Sequence, residues 1–319
     1  MKNIRAGIIG CGGVAKYHIT GYKKSNVEIT ALADIKIENA DMYAKDLKGV
    51  KTFTDYKEMI GSGLVNAVSI CTPPSFHEEP VVFALENDIH VLCEKPLADT
   101  LRSATKIHKA AEDNSKLRCM VAYRHRFLPA VRKIKELISS YMIGDIVMFY
   151  NTFANLDIAA ETMWRTKKRV AGGGSLMDTT SHSVDLFRHL IGEIAEYSAV
   201  MHRHFTDTDV EDTSILSVKS DTGVVGSLSA SWVAGDVVCI IDVIGKIGRI
   251  FFDYGTPADV RIKKADDKEW DSIPVERRDG FVEEVAHFIE SIKNGHGTLV
   301  TSFDGLRAVE IIQHCYNER

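Results

Sequence analysis

The sequence predicts a two-domain α/β chain: a doubly wound parallel sheet, then an α+β domain with a large open, mainly antiparallel sheet. Three observations carry this. Up to residue 121 short apolar strand patterns alternate with helical ones, an order that implies parallel strands joined by crossover helices. Beyond that point strand patterns succeed one another with few helices between, which implies a separate mixed or antiparallel sheet. The length of 319 residues corresponds to about two domains at roughly 150 residues each. The expected division is 1–121 and 122–319.

The first half reads in order as strands over 4–9, 28–33, 67–71, 90–93 and 118–121, with helices over 15–23, 39–47, 75–86 and 101–112. The third helix carries a conflict. Ser75-Phe-His-Glu78 fits a capping box, yet Pro80 follows just past the first turn, where a missing N–H and a ring clash are costly. An irregular or shifted helix start is expected there. Strands then follow over 146–153, 197–203, 214–219, 224–232, 237–244 and 249–252. In the fourth of these Leu228, Ala230 and Trp232 alternate with serines, the pattern of a strand with one buried face. Phe281, Val285, Phe288 and Ile292, at spacings of 4, 3 and 4, mark one apolar helix face. A last helix is expected over 306–315.

Composition excludes several classes of function. Hydrophobic residues at 45% and charged residues at 26% rule out a disordered or collagen-like chain. A net charge of −5 without a dominant basic tract argues against nucleic acid as a partner. The longest apolar runs, 81–85 and 237–241, fall far short of the ~20 residues of a membrane span. The N-terminus turns to glycine before a signal-type segment forms. Six cysteines without C-x-x-C spacing read as reduced, buried thiols, so a cytoplasmic protein is expected.

The first strand runs into Gly10-Cys11-Gly12-Gly13-Val14-Ala15, and a helical pattern follows. This is the Rossmann dinucleotide fingerprint G-x-G-x-x-A in its proper place. The first glycine makes the tight turn, the second lets backbone approach a pyrophosphate, and the small third residue lets helix and strand pack closely. Asp34, ending the second strand 19 residues after Ala15, is the expected ribose-binding acid. Its carboxylate repels a 2′-phosphate and no arginine follows it directly, with Lys36 a partial offset to the charge, so NAD is expected over NADP.

Four further segments bring a family into view: Cys71-Thr-Pro-Pro-Ser-Phe-His77, Cys93-Glu-Lys-Pro-Leu-Ala98, Tyr123-Arg-His-Arg-Phe-Leu-Pro129 and Gly172-Gly-Gly-Ser-Leu-Met-Asp178-Thr-Thr-Ser-His182-Ser-Val-Asp185. With the glycine loop they resemble the glucose–fructose oxidoreductase/inositol dehydrogenase (Gfo/Idh/MocA) family along essentially the whole chain. The resemblance implies an NAD-dependent oxidoreductase acting on a secondary alcohol of a sugar, sugar derivative or cyclitol. It implies Glu94-Lys95-Pro96 as the E-K-P motif, with Lys95 between nicotinamide and substrate and a cis peptide before Pro96. Cys71, Thr72, Pro73 and His77 would line the nicotinamide side, with Arg124, Trp164 and Arg165 also on the cofactor side of the cleft. Asp178 and His182 would be the substrate-binding and proton-transfer pair, with Lys95 as the alternative proton acceptor. A homodimer or homotetramer paired through the second sheet is implied too. Thr179-Thr180-Ser181 departs from the glycine that relatives often carry, which reshapes the expected pocket.

The residues themselves agree with the last segment. Asp178, His182, Asp185 and His189 recur at i, i+4, i+7 and i+11, one face of a single helix. The plain alternative is a solvated helix face; the three glycines, permitting close approach to a ligand at the helix start, favour a site. Arg124, His125 and Arg126 would contact an anionic group or stabilise the domain junction. His202 and His204 alternate on one strand face, but a surface pair outweighs a metal site without a third ligand. Two rivals remain within and outside catalysis: an NAD-dependent glycosidase of the same family, and a non-catalytic dinucleotide-binding sensor.

Overall fold

The computed structural model describes residues 3–157, 164–205, 207–256 and 259–317. The chain forms two compact units: Met1–Arg124 with Asp279–Val309, and His125–Arg278 with Glu310–Arg319. The expected second domain, 122–319, therefore loses Asp279–Val309 to the first unit. The reason is packing: the apolar face at Phe281 and Val285 lies against the helix that follows the glycine loop.

The first unit alternates as expected. It runs β1 (Arg5–Ile9), α1 (Ala15–Lys24), β2 (Glu28–Ala33), α2 (Ile37–Ala44), β3 (Lys51–Phe53), α3 (Tyr56–Gly61), β4 (Ala67–Ile70), α4 (Glu78–Glu86), β5 (His90–Cys93), α5 (Leu101–Asp113) and β6 (Cys119–Val121). The strands pair in parallel in the order β3-β2-β1-β4-β5-β6. The order reverses between β2-β1 and β4, the place where ligands bind at the carboxyl ends of such sheets. Residues of β1 and β4 are almost wholly buried, as helices on both faces require. The sequence reading missed β3 and α3, both of six residues or fewer. The strained start at Pro80 resolves as a 3₁₀ turn, Pro74–Phe76, before α4.

The second unit contains α6 (Pro129–Ser139), β7 (Ile146–Leu156), α7 (Lys168–Ala171), α8 (Ser175–Asp178), α9 (Thr180–Leu190) and seven further strands. These are β8 (Ile194–His202), β9 (Thr213–Ser220), β10 (Val225–Ser231), β11 (Val233–Gly245), β12 (Gly248–Asp253), β13 (Asp259–Lys264) and β14 (Asp271–Pro274). They form one sheet in the order β14-β13-β12-β11-β7-β10-β9-β8, antiparallel except for β7 beside β10. Burial alternates along β9 and β10, so one face is covered and one is open. Phe187 of α9 packs edge-on to Phe149 and against Gly226, which seats α9 on the covered face.

The chain closes with α10 (Gly280–Asn294) and α11 (Ser302–Asn317). In the first unit, Gly21 of α1 has no side chain where Val285 of α10 approaches; a Cβ there would lie 2.7 Å from it. Phe281 stacks on Tyr17 at 4.5 Å.

Candidate functional site

In the first unit the glycine loop and its acid come together as a cradle. Gly10 adopts φ +89°, and a Cβ would lie 2.8 Å from the Cys71–Thr72 peptide, so only glycine fits. Around Gly12 and Gly13 nothing lies within 4 Å of where a side chain would begin, leaving that backbone open to a ligand. Val14 gives α1 no side-chain cap, though Ala15 N and Tyr17 N already donate to Gly12 O and Val14 O, so the helix start beside the open glycines is the place for an anion. Asp34 is fixed in place: one oxygen accepts from Cys11 N at 2.8 Å, the other from Lys36 N and Asn39 Nδ2. The Cys11 thiol is pushed up to about 12 by burial, with the Asp34 charge adding to it. It is an inert packing thiol.

Lys95 is half-buried on the loop after β5, and its peptide to Pro96 is cis, as the resemblance implied. Glu94 beside it is buried, accepting from Lys95 N at 3.1 Å and from His18 Nε2 at 2.8 Å. Burial alone would raise the Glu94 carboxyl; the hydrogen bond and charge of His18, with Lys95 nearby, bring it below its usual range. His18 was missed in the sequence, because its partners Ser69 and Glu94 lie 51 and 76 residues away.

His77, expected to line the nicotinamide side, is fully buried. Its ring links Thr72 O at 2.7 Å with Pro96 O and Leu97 O at 3.1 and 3.2 Å. Burial lowers its pKa, with the carbonyls opposing. It joins the Thr72 loop to the Lys95 loop rather than presenting a ring to a ligand. Cys71 is buried too, and burial holds its thiol well up. Thr72 Oγ1 donates to Phe76 O. The Arg124 guanidinium lies 4.9 Å over the Phe281 ring, a cation–π contact within the first unit.

The second unit holds the other half of the expected residues. Asp178 ends α8, and Thr179 breaks the helix before α9, which carries His182. The predicted single helix is thus two. Arg165 donates to Asp157 at 2.5 Å and lies 3.6 Å from Asp178; Trp164 beside it is exposed. The His182 ring meets His125 edge-on at 4.7 Å, and His125 also contacts Phe153 and Tyr254. His125 is therefore a buried neighbour of His182 rather than a solvated charge. Arg126 and Asp185 correct the sequence reading as well: both are buried and joined by two bonds of 2.9 and 2.6 Å. His202 and His204 lie exposed with rings 4.6 Å apart. Among the described residues no group of three or more His, Cys, Asp or Glu could hold a metal.

The glycines before α8 have a different cause from the one expected. A side chain at Gly173 would collide with Tyr316, and one at Gly174 with the main-chain carbonyl of Glu211. That carbonyl accepts from Ser175 N at 2.8 Å. The Glu211 carboxyl accepts from Leu176 N, Gly174 N and Tyr316 Oη. Burial raises it, with those donors opposing. Trp232 Nε1 donates to Thr179 Oγ1 at 2.9 Å, pinning the break between Asp178 and His182. Glu211 and Tyr316 carried no sequence signal, and Trp232 was legible only as a buried strand residue.

Residues 4–123 match a family model described as an oxidoreductase family with an NAD-binding Rossmann fold. Residues 131–251 match that of the GFO/IDH/MocA C-terminal domain. The chain is 26% identical over 305 residues to levoglucosan dehydrogenase of Pseudarthrobacter phenanthrenivorans, covering 84% of this chain and 78% of that one. It is 26% identical over 322 residues to scyllo-inositol 2-dehydrogenase (NAD(+)) of Bacillus subtilis, covering 97% and 92%. A solved levoglucosan dehydrogenase in complex with NADH and levoglucosan superposes with a TM-score of 0.92 at 25% identity, covering 99% and 97% of the two chains.

Proposed function

The chain belongs to the GFO/IDH/MocA oxidoreductase family, and from that premise we propose that it oxidises a secondary alcohol of a sugar, sugar derivative or cyclitol with NAD. The observation that carries this is the cradle of the first unit: backbone open at Gly12 and Gly13, and Asp34 fixed by three donors. Relatives named as sugar and inositol dehydrogenases, one solved with NADH and its sugar, support the same substrate class.

Gly12, Gly13 and the start of α1 would hold the pyrophosphate, and Asp34 the adenosine ribose hydroxyls. Bound there, NAD supplies the hydride acceptor. Asp34 disfavours a 2′-phosphate, so NAD is preferred over NADP. His182 accepts the hydroxyl proton of the substrate, and Asp178, steadied by Arg165, orients it. Lys95 donates to the reacting oxygen and stabilises the alkoxide charge as it develops. The open face of the second sheet pairs with a second copy to make a dimer.

Incubation with myo-inositol, scyllo-inositol, levoglucosan and simple D-glucosides, with NAD or NADP, tests the reading through NADH absorbance. The expected result is NADH formed in step with alcohol consumed. Sugar cleavage without net NADH would instead mean a glycosidase, and no reduced cofactor with any of them would overturn the proposal. Lys95→Ala and His182→Ala should each lower the rate about 10²–10⁴-fold while NADH still binds. Near-normal turnover in both would remove these two residues from the chemistry.

A further inference from the structure

Beneath the Lys95 loop lies a buried chain of polar groups that the proposed chemistry does not use. His18 is fully buried on α1 and spends both ring nitrogens, Nδ1 at 3.1 Å from Ser69 Oγ and Nε2 at 2.8 Å from Glu94 Oε1. Tyr22 Oη is 2.8 Å from the same Ser69 oxygen. The chain is satisfied throughout when Tyr22 donates to Ser69, Ser69 to His18 Nδ1, and His18 Nε2–H to Glu94. The second Glu94 oxygen then accepts from the backbone N–H of Lys95 at 3.1 Å.

We propose that His18 is a positioning residue for hydride transfer: by holding one oxygen of Glu94 it fixes the other where it anchors the Lys95 peptide. The inference rests on the reading that Lys95 acts on the reacting oxygen. Packing alone does not ask for this hydrogen-bonded pair, since replacing both partners of a buried hydrogen bond by apolar groups of the same shape is commonly near neutral for stability. A carboxylate holding a main-chain N–H is a stiff support, and stiffness matters here because a shift of about 1 Å in a catalytic group costs roughly 10²-fold in rate. Nothing in the scheme requires His18 to touch a ligand.

Two variants of similar polarity separate positioning from packing. In His18→Gln the amide nitrogen reaches as far as Nε2 and still donates to Glu94. In His18→Asn the shorter amide reaches only the Ser69 side. Exchange of the Lys95 amide hydrogen, read by fragmentation mass spectrometry on the full chain, needs no substrate. It should stay near the wild-type rate in His18→Gln and rise about tenfold or more in His18→Asn, the scale of one hydrogen bond to a charged group. With myo-inositol, or whichever alcohol in the panel above reacts fastest, kcat per NADH-binding site should fall about 10–100-fold in His18→Asn alone. Its KM for NAD should change little, and its deuterium isotope effect on kcat should grow. Equal exchange and equal kcat in the two variants would overturn the inference. Lys95→Ala is run beside them. If it turns over normally, the reading of Lys95 itself fails; if it loses the rate while His18→Asn keeps it, only the positioning role falls.

Discussion

At Glu284 on α10 both carboxyl oxygens are buried without a hydrogen-bond partner among the described residues. Burial first, and the negative charge of Glu94 second, hold its pKa well above the usual carboxylate range, with Arg124 opposing. A group raised in this way adds stability below its unfolded pKa and loses it as pH climbs toward the folded one. Glu284→Gln keeps the shape and removes the ionisation, so its thermal midpoint should exceed the wild type by a few degrees at pH 8, on the scale of about 1–3 kcal/mol. The gap should narrow toward pH 5; melts at both values check it, and a gap independent of pH would refute the assignment. Asp34 carries a second expectation. Asp34→Ser should narrow the NAD-over-NADP ratio of kcat/KM and also raise KM for NAD, because the serine loses the carboxylate bond to Cys11 N. Asp34 and Lys95 were legible in the sequence, since each sits in a motif of fixed spacing. His18, Glu211 and Glu284 were not, because their partners come from distant elements and no local pattern announces them.

Along single elements, legibility followed length and periodicity. β1, β2 and β5 stand within a residue of their expected ranges. α6 was missed although Pro129 opens it and Val131, Ile134 and Leu137 form its buried stripe, a helix signal read past. The stretch from Asp178 to His189 kept its helical period but not its continuity: Trp232 holds Thr179 itself, and Glu211 holds Gly174 and Leu176 before it. The glycines before α8 give a test at this scale. Gly174→Ala meets a main-chain carbonyl and should cost about 3 kcal/mol in any background. Gly173→Ala meets only the Tyr316 side chain, so Tyr316→Ala should recover much of its loss, the two changes together costing less than their sum. Urea titrations of the three single and two double variants measure this.

For the molecule as a whole, the two-sheet architecture and its family were readable from strand order and five motifs, whereas the return of α10 to the first unit was not. The open face of the second sheet shows Ile215, Ser217 and Lys219 on β9 beside Val225, Ser227 and Ser229 on β10, and this is the face proposed to pair with a second copy. Light scattering at micromolar concentration should report a dimer or a tetramer of dimers, and Ile215→Lys should shift it toward monomer. A strictly monomeric wild type would remove this expectation. Asp279–Val309, joined to Met1–Arg124 only through folding, also sets an order of events during synthesis. Domains otherwise tend to fold from the N-terminus as the chain emerges, but here the glycine-loop helix must wait for the more than 150 residues of the second unit to be made before Val285 can close over Gly21. A nascent chain that has passed β6 but not yet α10 therefore presents a nearly finished nucleotide-binding unit with an uncovered apolar flank, a natural substrate for chaperones and proteases.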